Sequence, residues 1–281
     1  MNFIAASGDT VPSADGALRS PVRVRVLSAL VLAPVAVACV WFGRPWFDLM
    51  VATAALAMAW EWRRICAGNV FGSAGAALMA TVAAILVLTA LDRPWAAFGV
   101  LLVGTMFVGL LARSTRGTVW CMLGVAAVGL PSASLIWLRT GEGGQGMVLW
   151  LLGAVIATDT FAYIAGRAVG GPRLAPRISP KKTWAGLAGG MAAAAIWTLA
   201  FGWWMGWTSP VRLLLAGAAA AVAAQIGDLA ISVVKRRFGV KDSSHLIPGH
   251  GGVLDRADGF VLTAPVMAAL VALGVDGTSW Q

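Results

Sequence analysis

Long apolar runs separated by short polar intervals make up most of the 281-residue chain, and their lengths predict its elements. A helix crosses the hydrocarbon core of a bilayer with roughly 20 apolar residues, or about 17 at the short end. Nine blocks meet or approach that length: Val26–Phe42, Trp46–Trp60, Ser73–Leu91, Trp95–Ala112, Thr118–Leu138, Met147–Gly166, Trp184–Trp207, Val211–Val234 and Gly259–Gly274. Trp46–Trp60 is the shortest, yet tryptophans bracket it, as suits rings resting at the two interfaces. The pattern predicts an all-α, polytopic integral membrane protein of about nine transmembrane helices.

Charge gives the orientation, because cytoplasmic loops collect cations. With the N-terminus inside, all Lys and Arg residues except Arg44, Arg93, Arg139 and Arg212 fall on one side, which predicts a cytoplasmic N-terminus and an outer C-terminus. Residues 1–25 have the cations of a signal peptide's first region, but the next apolar block is long and lacks a small-residue cleavage site. They read as a disordered cytoplasmic tail. Residues 26–140 then hold about five helices of little polar content, and residues 141–281 about four helices with two cationic cytoplasmic loops.

Composition sharpens the picture only where it removes options. The chain is 59% hydrophobic and 12% charged with a mean hydropathy of +0.81, outside the range of soluble domains. The net charge of +9 lies in short loops between apolar runs, so no nucleic-acid partner is expected. Cys39, Cys66 and Cys121 stand singly, without metal or redox spacing, and read as small buried hydrophobes.

Chemistry-bearing residues enter the apolar runs only in the second half. An Asp within a membrane helix costs on the order of 2.5–3.5 kcal/mol at the centre, so it is retained mostly at a site or a wet cavity. Asp159 lies about two turns before the inner end of the sixth run, and Asp228 in the last turns of the eighth. At ~1.5 Å of rise per residue, both carboxylates come within ~10 Å of the cytoplasmic surface and meet at one depth. Asp228, Ser232, Lys235 and Arg236 are spaced to share one helix face. The glycine-rich segment beyond them allows tight turns and close backbone approach to an anion, and contains no Walker A motif. Asp255 and Asp258, three apart, open the last run and are expected on one face.

Paired carboxylates beside Lys and Arg at a membrane surface suit divalent-metal phosphate chemistry. Mg²⁺ takes oxygen ligands and bridges carboxylates to phosphates, while the cations neutralise the remaining charge. His250 has no partner at zinc spacing and reads as a hydrogen-bonding or proton-handling group, and His245 as a solvated loop residue. The other cationic segment, containing Lys181 and Lys182, is expected to clamp polyanions beside Asp159. Gly186 and Gly190 read as sites of close helix packing.

From Ser232 the chain matches S-x-x-K-R, four residues, K-D, then P-x-H-G-G-x-x-D-R-x-D, through Lys235, Arg236, Lys241, Asp242, Pro248, His250, Gly251, Gly252, Asp255, Arg256 and Asp258. With GDL at Gly227–Leu229, SPKKT at Ser179–Thr183 and TDTFAY around Asp159, the C-terminal half resembles the phosphatidate cytidylyltransferase (CDP-diglyceride synthase) family. Ile231 and Ala185 stand where that family often has Glu, and Ala257 where it has a larger apolar residue.

The resemblance implies transfer of CMP from CTP to phosphatidic acid, giving CDP-diacylglycerol and pyrophosphate in phospholipid biosynthesis. It implies an enzyme of a bacterial-type inner membrane with its active site facing the cytoplasm, and a homodimer as one option. Asp228, Asp255, Lys235, Arg236 and His250 are then expected to carry catalysis. Lys181, Lys182, Ser232, Lys241, Asp242, Arg256 and Asp258 are expected to bind substrate. Mg²⁺ is expected at Asp228, Asp255 and Asp159, with a monovalent cation as an optional second ion. The alternatives are a CTP-dependent polyprenol or phytol kinase, which would release CDP, and a transporter, which would spread polar residues across the midplane.

Overall fold

The computed structural model describes residues 21–68, 72–112 and 115–273, so most of the expected N-terminal tail and the C-terminal end fall outside it. Ten helices form: α1 (Pro21–Phe42), α2 (Trp46–Ala67), α3 (Gly72–Ala90), α4 (Pro94–Leu111), α5 (Thr115–Thr140), α6 (Gly144–Ala168), α7 (Trp184–Trp204), α8 (Pro210–Arg237), α9 (Leu254–Ala257) and α10 (Phe260–Ala272). Each long apolar run is helical, since unbroken intrahelical bonding satisfies the backbone where water is absent.

Six helices are long and apolar enough to cross a membrane among the described residues: α3, α4, Gly117–Thr140 of α5, α6, α7 and α8. Leu30–Phe42 and α10 are shorter apolar helices. The chain is therefore a polytopic membrane protein. The run expected to end at Trp60 continues as helix through Ala67, carrying Glu61, Arg63 and Arg64. A helix needs no apolarity to propagate, and Glu and Arg are good helix formers.

The structure corrects the all-α expectation in one place. The cationic segment between α6 and α7 is an antiparallel hairpin, β1 (Arg173–Ala175) and β2 (Ser179–Thr183), with Arg173 opposite Thr183 and Ala175 opposite Ser179. Pro172, Pro176 and Pro180 disfavour helix there, while an extended hairpin accommodates them. Thr183 ends β2 and caps α7, its hydroxyl accepting from the Gly186 N–H at 3.0 Å.

Packing fixes where the polar ends of these helices meet. α5 lies against α2, α3, α4 and α10, α7 joins α6 to α8, and α10 closes on α8. Buried aliphatic and aromatic side chains from α2, α3, α5, α6, α8 and α10 fill the interior. α6 and α7 approach closely at Gly186 and Gly190, where an added Cβ would come within 2.7 Å of the Ala162 carbonyl and 3.0 Å of the Thr158 carbonyl. Both glycines thus do the packing expected of them. Gly227 does the same for α8, since a Cβ there would lie 2.7 Å from the carbonyl of Asp258. Asp228 is thereby held beside the α9–α10 junction.

Candidate active site

Four segments converge at one end of the bundle: the end of α6, the β1–β2 hairpin, the last turns of α8, and the loop that leads through α9 into α10. Asp159, Asp228 and Asp258 come within electrostatic reach of one another there, as the helical spacing predicts for the first two. Lys182 pairs with Asp228 and also donates to Gln225 Oε1 at 2.9 Å. Ser232 donates to Asp228 Oδ1 at 3.2 Å, one turn along α8.

The expected stripe on α8 divides above Ser232. Lys235 is buried and turns to Asp255, Nζ to Oδ1 at 2.7 Å. Arg236 is exposed and donates to the carbonyls of Ile178 in the hairpin turn (3.3 Å) and Val240 (3.2 Å), so its guanidinium ties α8 to β1–β2. Lys181 is exposed on β2 beside Lys182.

Asp255 and Asp258 meet different partners, although they lie three apart on backbone that keeps helical φ and ψ from Val253 to Gly259. Asp255 Oδ2 accepts from the Ser243 N–H (2.8 Å), the Ser243 hydroxyl (2.9 Å) and the Gly252 N–H (3.0 Å). Burial alone would raise this carboxyl, but the bonds from Lys235, Gly252 and Ser243 outweigh it and hold it below its ordinary range. Asp258 has the opposite environment. Burial, and then the charge of Asp228, push its carboxyl up to about 7 against the pull of Lys235.

A polar cavity of about 600 Å³ opens within the loop between α8 and α10, lined by Asp242, His245, His250, Gly251 and Arg256. Arg256 donates from Nε to the His250 carbonyl at 3.1 Å, so its charge is aimed along the cavity wall. His250 Nδ1 is buried and finds no hydrogen-bond partner among the described residues. Lys241 and Asp242 are exposed at the start of the loop. Gly251, at φ +88°, lets the backbone double back, and Ile247 bonds to its carbonyl at 2.9 Å.

Glu61 is the residue that sequence reading missed. It is fully buried on α2, yet accepts four hydrogen bonds from the loop: Ser243 Oγ (3.0 Å), Ser244 Oγ (2.5 Å), Val253 N–H (2.9 Å) and Leu254 N–H (2.7 Å). The one signal was an acid in an AWEWRR junction beside two arginines, which reads as an ordinary interfacial charge.

The carboxylate oxygens here are of the donor type that a hard divalent cation takes. Asp159, Asp228 and Asp258 offer oxygen in one neighbourhood, and ammonium groups already compensate Asp228 and Asp255 where a metal ion's charge would. No group of three His, Cys, Asp or Glu side chains stands at ligand distance among the described residues, so phosphate and water oxygens would complete the shell.

Comparison with known proteins finds relatives along most of this chain. The model of the cytidylyltransferase family matches residues 23–273. Proteins called phosphatidate cytidylyltransferase in Brucella abortus and Brucella suis are each 38% identical over 257 residues, covering 88% of this chain and 92% of the relative. One of the same name in Rickettsia bellii is 36% identical over 155 residues, covering 53% of this chain and 67% of the relative. With nearly its whole described length inside the family model, the chain belongs to the cytidylyltransferase family.

Proposed function

We propose that this protein is a phosphatidate cytidylyltransferase, transferring CMP from CTP to phosphatidic acid. The observation that carries the reading is the meeting of Asp159, Asp228 and Asp258 with Lys182 and Lys235, within electrostatic reach of Arg256, which also lines the polar cavity. Two polyanions must be brought together in this reaction, and a cationic site with oxygen ligands for a metal answers that need.

In the transfer, an oxygen of the lipid phosphate attacks the α-phosphorus of CTP. The bond from that phosphorus to the bridging oxygen breaks, and pyrophosphate leaves with the electron pair. The attacking phosphate is already ionised near neutral pH, its second pKa being about 6, so no strong general base is required. Lys182, Lys235, Arg236 and Arg256 neutralise phosphate charge, with Lys181 and Lys241 at the outer edge. Ser232 holds Asp228 in orientation. His250, with its unsatisfied Nδ1, hydrogen-bonds a substrate polar group, and Asp242 borders the nucleotide's approach.

Mg²⁺ would be held by Asp228 with Asp159 and Asp258 beside it, and would supply Lewis-acid stabilisation of charge on the phosphates. Asp255, expected from sequence as a ligand, has both oxygens occupied by Lys235, Ser243 and Gly252 and instead fixes Lys235. A monovalent cation is the natural second ion for the remaining carboxylates. The reading takes all nine long apolar segments as crossings, with the N-terminus and the site on the cytoplasmic side of a bacterial inner membrane. There a lipid headgroup and a soluble nucleotide both reach it. A homodimer within the bilayer completes the proposal.

The test is incubation of purified protein with phosphatidic acid, CTP labelled in the cytidine ring, and Mg²⁺. Label entering the lipid phase with release of pyrophosphate is expected. Unlabelled lipid phosphate with release of CDP would identify a kinase and overturn the reading. Glycerophospholipid membranes with Asp228→Asn in place of the wild type are expected to yield no labelled lipid.

A further inference from the structure

Glu61 has no part in the transfer chemistry just described, and its environment is unusual. Its carboxylate is withdrawn entirely from solvent, and the four donors it meets are uncharged. A buried carboxylate costs several kcal/mol unless hydrogen bonds compensate it, so the chain retains it at some expense. All four donors belong to the loop that carries Asp255, whereas Glu61 itself belongs to α2, 182 residues earlier than the first of them.

One donor links the two carboxylates. The Ser243 hydroxyl lies 3.0 Å from Glu61 Oε2 and 2.9 Å from Asp255 Oδ2. A hydroxyl has one proton, so it donates to one carboxylate at a time. Asp255 in turn fixes Lys235 at 2.7 Å. A chain of contacts therefore runs from Glu61 through Ser243 to Asp255 and Lys235. Gly252 is shaped for it, since a Cβ there would collide with Ser243 Oγ and approach Glu61 Oε1 to 2.5 Å.

We propose that Glu61 is a positioning residue for the transfer, acting through Ser243 to set Asp255 and Lys235. This rests on the transferase reading above. Glu61 never touches substrate. It anchors the loop by the N–H groups of Val253 and Leu254 and shares the Ser243 proton with Asp255, so that the Lys235 ammonium stands at a defined place. Loss of such an outer partner costs activity without removing any group from the substrates.

Glu61→Gln, Ser243→Ala and the double variant test this in the purified full chain. Each single change is expected to lower kcat, per folded molecule, by about 10–100-fold, while KM for CTP and for phosphatidic acid moves by less than about threefold. The double variant is expected to fall no further than the worse single, because both act along one chain. Amide exchange needs no turnover and follows the loop directly. It is expected to quicken at Val253 and Leu254 in Glu61→Gln while α8 stays protected.

Multiplying losses overturn the proposal, as does turnover per folded molecule at the wild-type value, which is what a merely structural Glu61 would give. Unchanged exchange at Val253 and Leu254 overturns the anchoring itself. If Glu61→Gln does not fold, Ser243→Ala decides: near-wild-type kcat sinks the proposal. A wild-type protein that makes no CDP-lipid refutes the transferase reading first, and the role of Glu61 with it. A working wild type with additive variants refutes the role of Glu61 alone.

Discussion

Lys235 on α8 and Asp255 on α9 meet with Nζ 2.7 Å from Oδ1, their side chains only 10% and 6% exposed. This contact joins the helix that carries Asp228 to the loop that carries His250 and Gly252. Three further donors reach Asp255 from Ser243 and Gly252, so the charge is paired and hydrogen-bonded as a buried carboxylate must be.

Replacing Lys235 by Met leaves that carboxylate without its cation. Removing one partner of a buried pair costs about 3–5 kcal/mol, and the three remaining donors favour the lower end. The expected outcome is a clear drop in the melting temperature of the detergent-solubilised protein, followed by tryptophan fluorescence. Turnover is expected to be lost as well.

Lys182→Met should behave differently, although it also breaks an ion pair. Lys182 and Asp228 are 19% and 26% exposed, so solvent screens this pair more than it does Lys235 and Asp255. The melting temperature is expected to fall by less than in Lys235→Met. With Lys182 neutralising phosphate charge as proposed, kcat is expected to fall by roughly 10²–10³-fold, the cost of losing one preorganised charge-stabilising group. Parallel melts and initial rates separate the two effects.

Stability should fall as pH rises toward neutrality in protein treated with EDTA. Burial and Asp228 push Asp258 up to about 7 from 3.8, so between those values the folded chain keeps a proton that the unfolded chain has released. Asp255 has the opposite sign. Its lowered carboxyl contributes stability that is complete above 3.8 and is lost as pH falls through its folded value. Thermal melts from pH 4 to 8 are expected to show the slope toward neutrality, and Asp258→Asn to flatten it while leaving the acid loss in place.

Gly252→Ala places a methyl group against the Ser243 hydroxyl and the Glu61 carboxylate. Neither can yield without breaking a hydrogen bond to Asp255 or to the loop. Overpacking of this kind costs about 1–3 kcal/mol. A lowered melting temperature and lost turnover are expected, while Gly239→Ala, with open space around it, alters stability only through its φ of +71°.

Much of this was readable along the chain. Apolar run lengths located the helical segments, six of them long and apolar enough to span a membrane among the described residues, because the need to satisfy backbone groups in lipid is local to each run. Helical spacing joined Asp228 to Ser232, and the motif brought Asp228, Lys235, His250, Asp255 and Arg256 into one site. The hairpin was misread as a loop, since three-residue and five-residue strands leave almost no periodic signal. The spacing of Asp255 and Asp258 could not tell their environments apart: Asp255 is paired with Lys235 and Ser243, while Asp258 is buried beside Asp228.

Sequence alone therefore determined the membrane class, the helical segments and the family motif, all of which follow from composition, run length or short spacing. Only the tertiary structure decided which cation serves which carboxylate: Lys182 for Asp228 and Lys235 for Asp255. It alone revealed Glu61, whose partners lie 182 to 193 residues away. No local pattern encodes such a contact. It exists because α2 and the Asp255 loop are packed together by the rest of the bundle, and a buried carboxylate persists only where such packing supplies its donors.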